Sequence, residues 1–334
     1  HSQKGMLPLK SPDVQQLESP AFPHTMKRQV CEFTERPRTC CTGKQHHQFS
    51  LRTDNPMHSL EHLLSFIRED APYGDITSEA VIGDIRCHAF ISTREPGLVA
   101  GLEEAAALFS YFGATILNQS HDGCEVAAGT TIMSLEGPAR GILLVERTAL
   151  NIIGRMSGVA NRTRLLASLL ASTGATTRIA ATRKTSPGMR LLDKKAVLLG
   201  GGDPHRINLS DGILIKDNHL ALVSLESAIM RAKQRSLYRK IEVEISTPAN
   251  AVAAAKAGAD ILLLDNMTPD LVRETLALCT KHGLRDHLTI EVSGSIDETN
   301  LLLYAIPGVD RISAGTLTHS VRNFDVSLEI THKL

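Results

Sequence analysis

The sequence predicts an α/β protein: an incomplete α/β barrel of about six or seven strands, beside a smaller N-terminal α/β sandwich domain. Three observations predict it. Past residue 175, short apolar or β-branched runs alternate with helical patterns, the signature of βαβ units around a parallel sheet. No dinucleotide glycine fingerprint accompanies these runs, which favours a barrel over an open doubly wound sheet. The 334 residues suffice for two domains with separate cores, and the stretch before the alternation mixes strands and helices differently.

Residues 1–57 are rich in Ser, Pro, His and Gln and lack periodicity, so they read as a tail or appended extension, mostly disordered. The segment is basic, as a transit peptide would be, but Asp13, Glu18, Glu32, Glu35 and Asp54 argue against one. Cys40, Cys41, His46 and His47 do not have zinc-site spacing. Ordered sequence begins at SLEHLLSFIRED, which places Leu60, Leu63, Leu64 and Ile67 on one helical face. Strands AFISTRE and TTIMSLEGP and the helix LEEAAALFSYFGA fill the rest of an N-terminal domain, 58–160. A long helix, 142–171, links it to a barrel domain, 161–320.

Barrel strands are expected at 176–182, 212–216, 240–246, 259–265, 288–293 and 309–313, with a degenerate seventh near 198–207. The helices between them are LVSLESAIMRAKQ, PANAVAAAKAGA, TPDLVRETLALCTKHG and DETNLLLYA. Residues 321–334 are expected to pack back on the N-terminal domain. No segment has the apolar length of a membrane span, and six scattered cysteines without a CxxC pair suit a reducing compartment.

Charge gives the first functional signal. Lys+Arg and Asp+Glu balance at 36 each over the chain. Between Arg178 and His219, however, eight Lys/Arg face four Asp, and three of the cations bracket a rigid turn in TRKTSPGMR. A local cationic excess in a neutral protein suits a small anion rather than nucleic acid or a membrane surface.

In a barrel the chemistry sits at the C-terminal ends of the strands. Those ends carry Thr182-Arg183-Lys184, Lys216-Asp217, Glu244, Asp265, Ser293-Gly294-Ser295 and Ser313-Ala314-Gly315. Arg offers a planar fork for carboxylate or phosphate, and Lys a point charge. Glu244 and Asp265 suit magnesium or a cationic transition state. The Ser/Gly turns suit a phosphate. The GGGDPHR loop is placed to bring His205 and Arg206 to the same pocket, although GGG alone also reads as a flexible loop. Glu242 and Glu244 alternate with Val243 and face one side, so one of them can simply pair with Lys216. Glu146-Arg147 on the long helix reads as a surface ion pair, His219 as a hydrogen-bonding residue near a helix start, and Asp260 and Asp310 as structural residues at strand starts.

ERTALN, SGVA, TRKTSPGMR, GGGDPHR, LSDGILIKDNH, EVEIS, LLLDNM, EVSGS and ISAGTLTHS together closely resemble the quinolinate phosphoribosyltransferase family, in order from about residue 74 to the C-terminus. The resemblance implies an open α/β sandwich beside an incomplete barrel, and transfer of phosphoribose from phosphoribosyl pyrophosphate to quinolinate with magnesium and decarboxylation. It implies that Arg183, Lys184, His205 and Arg206, with Thr182, hold the quinolinate carboxylates, and that Lys216 faces the pyrophosphate or reacting centre. Glu244 and Asp265 would bind the ribose and magnesium; Ser293, Gly294, Ser295, Ser313, Ala314 and Gly315 would cradle the 5′-phosphate. Lys184, Lys216, Glu244 and Asp265 are the expected catalytic residues. Arg147 would reach a partner's active site in a homodimer, or in a hexamer built from such dimers. The compartment implied is the cytoplasm, with organellar import through the tail left open. The rival readings are a phosphoribosyltransferase for nicotinate or a related pyridine acid, and a non-catalytic phosphate-binding barrel that would not need both carboxylates.

Overall fold

The computed structural model describes residues 59–333. The expectations for 1–57, including the Cys40, Cys41, His46 and His47 group, lie outside the described residues.

In the first part, α1 (Leu60–Asp70) and α2 (Ile76–Val81) precede β1 (Arg86–Thr93), β2 (Gly97–Leu98), α3 (Leu102–Tyr111), β3 (Thr115–Gln119), β4 (Glu125–Val126) and β5 (Thr131–Pro138). The Ser59 hydroxyl accepts the His62 N–H to start α1, and Asp75 accepts the Thr77 and Ser78 N–H groups to start α2. A 34-residue helix, α4 (Ala139–Ser172), follows. Then come β6 (Arg178–Ala180), α5 (Arg190–Leu199), β7 (Ile213–Ile215), α6 (Asp217–Leu220), α7 (Leu225–Arg235), β8 (Ile241–Ile245), α8 (Pro248–Ala257), β9 (Ile261–Asp265), α9 (Pro269–Lys281), β10 (Thr289–Ser293), β11 (Arg311–Ser313), α10 (Thr316–His319) and β12 (Val326–Lys333).

The N-terminal strands form an antiparallel sheet in the order β12-β1-β5-β3, so the C-terminal strand closes back onto the first domain. The six later strands form one parallel sheet, β6-β11-β10-β9-β8-β7, whose two outer strands do not pair with each other. The central residues of β8, β9 and β10 are buried, as expected of parallel strands covered on both faces. Asp260 and Asp310 each accept an N–H at the start of a neighbouring strand, from Ile241, the first residue of β8, and Ile290, the second of β10, at 2.7 Å. Their carboxylates are therefore structural.

The degenerate seventh strand reduces to one residue, a parallel bridge between Asp203 and Ala180. The helix expected at DETNLLLYA is only a 3-10 turn, Leu301–Tyr304. Asp297 accepts both the N–H and the hydroxyl of Thr299, and the Asn300 amide donates to Ser295 O, so local side chains compete with helix formation. Pro307 downstream disfavours helical geometry at the preceding residue.

The SGVA and GGG segments are close-approach devices. Ser157 Oγ accepts the Ala100 N–H at 2.9 Å, and a Cβ on Gly158 would lie 2.3 Å from Arg322 O. A Cβ on Gly200 would lie 2.4 Å from Ala160 O and 2.6 Å from Thr163 Cβ. Gly200 has φ −74°, so Gly200→Ala isolates this steric conflict from backbone strain. We expect it to destabilise the fold by about 1–3 kcal/mol, read as a lowered Tm; an unchanged Tm would show that the loop yields freely.

Among the described residues, no helix is long and apolar enough to cross a membrane.

Candidate active site

Four of the eight cations between Arg178 and His219 are accounted for elsewhere. Lys195 binds Glu103, Glu104 and Asp122; Lys216 pairs with Glu244; Arg178 lies 3.9 Å from Asp203; Lys194 donates to Pro204 O. Arg183, Lys184, Arg190 and Arg206 have no carboxylate partner within 4.0 Å among the described residues.

Their backbone is fixed by the fold. β6 ends at Ala180, and Thr182 Oγ1 accepts the Lys184 N–H at 3.1 Å. The following turn closes through Met189 N–H to Ser186 O, with Gly188 at φ +80°, and Arg190 Nε donates to Thr185 Oγ1. Thr318 Oγ1 donates to Lys184 O, while a Cβ on Gly315 would sit 3.1 Å from Lys184 Cδ. Arg155 makes a two-pronged bond to Asp193, both arms 2.9 Å, and donates to Thr318 O, tying α4, α5 and α10 together beneath this corner.

The cations are not neutralised by one another. Arg183 Nε is buried without a hydrogen-bond partner. Burial, and then the charge of Arg183, push the Arg206 pKa down. Lys194 is fully buried; burial lowers its pKa to about 8, and Arg190 and Arg183 push the same way while Asp203 opposes them. Two guanidinium groups near enough for one charge to bear on the other, with Arg183 Nε buried and unpartnered, form a receptor for an anion, best a carboxylate.

Beneath Arg206 lies a buried acidic floor. His205 Nε2 is 3.2 Å from Glu291 Oε2 and 3.6 Å from Glu242 Oε1, and Arg311 Nε donates to Glu291. His205 Nδ1 accepts the Arg206 N–H at 2.7 Å, and the His205 N–H donates to Asp203 Oδ1. Burial lowers the imidazole pKa, but Glu242 and Glu291 outweigh it and raise it to about 9. Burial likewise would raise the pKa of Glu291, yet His205 and Arg311 hold it below its ordinary value.

Among the described residues, His205, Glu242 and Glu291 are the one group of three potential metal ligands within 4.8 Å of one another. They do not fit a metal. Against burial, Glu242 and Glu291 raise the His205 pKa to about 9, so the ring faces them as a protonated cation, and a metal on Nε2 would have to displace that proton. Arg311 also supplies a cation already.

The second half of the site lies at the ends of β7, β8 and β9. A cavity of about 500 Å³ is lined by Asp217, Glu244 and Asp265 together with Ser246 and Asn250. Lys216 Nζ donates to Glu244 Oε2 at 3.0 Å, so Glu244, and not Glu242, is the partner of Lys216. His219 Nδ1 accepts the Lys216 N–H, a helix-capping contact rather than a free base. Asn266 donates to Asp265 Oδ2 at 2.6 Å.

Among the described residues, three non-glycine residues have positive φ: His205 (55°), Asn266 (53°) and Ser295 (47°). Asn266 and Ser295 lie just beyond the ends of β9 and β10, and His205 two residues past the Asp203 bridge; strained backbone of this kind clusters at functional sites. Gly294 has φ +111°, and a Cβ there would meet Asn266 Oδ1 at 2.3 Å. Ser293 and Gly294 are half-buried at the end of β10, and Ser295 is exposed. Ser313 is buried, and the Ala314 N–H is committed to Ala180 O at 2.9 Å. Arg147 is exposed on α4, and among the described residues it has no carboxylate partner within 4.0 Å, Glu146 included.

Sequence reading named the strand ends but missed Asn266, the buried Glu242–Glu291 pair and Lys194. Asn266 and Glu291 stand inside quoted motifs, LLLDNM and EVSGS; the signal that singles them out is positive φ and burial, both properties of the fold.

Residues 75–157 and 159–329 match the N-terminal and C-terminal domains of quinolinate phosphoribosyl transferase, respectively. A probable nicotinate-nucleotide pyrophosphorylase [carboxylating] of Methanothermobacter thermautotrophicus is 46% identical over 267 residues, 79% of this chain and 96% of that one. The chain belongs to the quinolinate phosphoribosyltransferase family. The human nicotinate-nucleotide pyrophosphorylase [carboxylating] is 34% identical over 80% of this chain and 90% of its own. The solved nicotinate-nucleotide pyrophosphorylase of Francisella tularensis superposes with a TM-score of 0.75 at 34% identity, covering 82% of this chain and 98% of that one. The two quinolinate phosphoribosyltransferase segments meet at Gly158, inside α4, so a single helix carries parts of both family domains.

Proposed function

We infer that this chain transfers the phosphoribosyl group of phosphoribosyl pyrophosphate to quinolinate, releasing pyrophosphate and carbon dioxide and leaving nicotinate mononucleotide. The observation that carries the reading is the unpaired Arg183–Arg206 pair, with Arg183 Nε buried and unpartnered. Such a pair costs stability unless an anion completes it. Lys184 and Arg190, equally unpaired, supply charge for a second carboxylate.

Binding the diacid there would orient the pyridine nitrogen toward the cavity that Glu244 and Asp265 line. As the C1–pyrophosphate bond breaks, positive charge builds on the ribose, and these two carboxylates stabilise it while Lys216 faces the departing anion. The ring nitrogen forms the new bond to C1 and becomes a pyridinium. That positive nitrogen holds the electron pair left at C2 when the adjacent carboxylate departs as carbon dioxide, and C2 then takes a proton from water. Ser293, Gly294, Ser295 and Gly315 would hold the 5′-phosphate. Ala314, through its N–H to Ala180 O, and the buried Ser313 beside it would support that turn.

Asp217, Glu244 and Asp265 are a hard-oxygen set lining one cavity, which fits magnesium sharing its shell with substrate oxygens and water. When bound, the ion would offset the pyrophosphate charge. We further propose a homodimer, with Arg147 directed to the partner's site, and a cytoplasmic location consistent with the buried thiols of Cys87 and Cys279.

The test is turnover of quinolinate with phosphoribosyl pyrophosphate and magnesium, following pyrophosphate and carbon dioxide together, with nicotinate in parallel. Equal release of both products from quinolinate alone is expected. Pyrophosphate without carbon dioxide, or preference for nicotinate, would overturn the substrate assignment.

A further inference from the structure

Glu242 and Glu291 are costly. Their side chains are 6% and 1% exposed, they lie inside a parallel sheet, and Glu242 Oε1 and Glu291 Oε1 have no hydrogen-bond partner. The facing His205 Nε2 lacks one too, so ion-pair contacts at 3.6 and 3.2 Å join the ring to them. Packed apolar residues at these positions would serve a purely structural core as well or better. Arg311, shared with Asp203 at 3.8 Å, compensates only one of the two charges. The remaining group at the floor is the His205 ring, held on a backbone with φ 55°.

We propose that Glu242 and Glu291 are positioning residues for the acid pocket: from the barrel floor they hold Nε2 of His205 toward themselves, which leaves Nδ1 at the loop beside Arg206, where a substrate carboxylate arrives. This rests on the quinolinate reading above.

The geometry gives the ring two useful states. Neutral, it accepts the Arg206 N–H through Nδ1 and fixes the point from which that guanidinium leaves the loop. A second proton, which the two carboxylates favour, falls on Nδ1 and makes it a donor to an arriving anion. Every charged neighbour bears on this balance: Glu242 from β8, Glu291 from β10, Arg311 from β11, and Asp203 and Arg206 from the loop itself. Lys194 on α5 clamps the same loop through Pro204 O. Glu242 is the better target for mutation, because Glu291 also anchors Arg311.

The experiment is E242Q, H205N and the double variant, with KM for each substrate and the ¹⁵N signals of the His205 ring recorded. E242Q should raise KM for quinolinate by about tenfold or more and leave KM for phosphoribosyl pyrophosphate unchanged. E242Q/H205N should be no worse than H205N, because Glu242 acts through the ring. The His205 pKa should fall in E242Q. Equal loss for both substrates, or losses that add in the double variant, would overturn the proposal. If E242Q does not fold, Glu242→Asp, which keeps the charge but shortens its reach, carries the same comparison. If the wild-type chain does not use quinolinate, the functional reading fails by itself; the grip on His205 is then judged by the ¹⁵N signals, and an unmoved pKa in E242Q overturns it.

Discussion

Replacing Lys195 by Met should lower the unfolding free energy by about 3–5 kcal/mol at neutral pH, read as a lower urea midpoint. Lys195 Nζ lies 2.8 Å from Glu103 Oε2, 2.8 Å from Glu104 Oε1 and 3.0 Å from Asp122 Oδ2. Burial alone would lower the lysine pKa, but these carboxylates outweigh it and raise it. Met keeps the aliphatic stem and removes the charge, so Glu104 and Asp122, 4% and 3% exposed, are left as two buried carboxylates without their cation. Burial already raises the Glu104 pKa, and Lys195 opposes that rise. Without the lysine it climbs further. A carboxyl whose folded pKa exceeds its unfolded value binds more protons folded than unfolded in the interval between them, so stability grows as pH falls through that interval. K195M should therefore recover part of its loss on going from neutral to mildly acidic pH, while the wild type gains less. A small loss independent of pH would show that water or a rearranged neighbour replaces the cation.

The fold was legible wherever a segment's period agreed with its surroundings. All six parallel strands lie inside the runs that their β-branched and apolar residues mark, and Thr247 and Thr268 cap α8 and α9 with Pro at the first helical position of each. DETNLLLYA is not a helix because the Asp297 and Asn300 side chains spend their hydrogen bonds on local backbone, a competition that periodicity does not register. The GGG loop was undecided between flexibility and packing, since the answer depends on Thr163, far away in sequence.

The site was legible to the depth of its strand ends. Arg183, Lys216, Glu244 and Asp265 follow from counting along each strand, because a parallel sheet places those ends on one rim. What lies one layer below did not follow. Glu242 and Glu244 share a face, and sequence alone gave no reason to send one to Lys216 and the other to His205. The difference is depth: Glu244 is near the rim with a 14%-exposed side chain, and Glu242 is two residues deeper in the sheet.

That difference in depth predicts opposite kinetic signatures for two glutamates on one strand. Glu244→Gln should lower kcat by about 10²–10³-fold and leave quinolinate binding, measured by calorimetry, unaltered. The amide keeps the volume and an oxygen for Lys216 but no longer offers a charge to the ribosyl cation or to a magnesium shell. Folding should hardly notice: Glu244 pairs with a lysine that is 46% exposed, and such a pair contributes about 0–1 kcal/mol. Asp265→Asn should act in the same direction, with the added complication that Asn266 donates to the oxygen being replaced. Glu242→Gln, by contrast, should act on KM for the diacid through His205. If E244Q instead weakened quinolinate binding and spared kcat, the carboxylates at the rim would belong to the acid pocket, and the ribosyl cation would have to be stabilised by Asp217 or Asp265 alone.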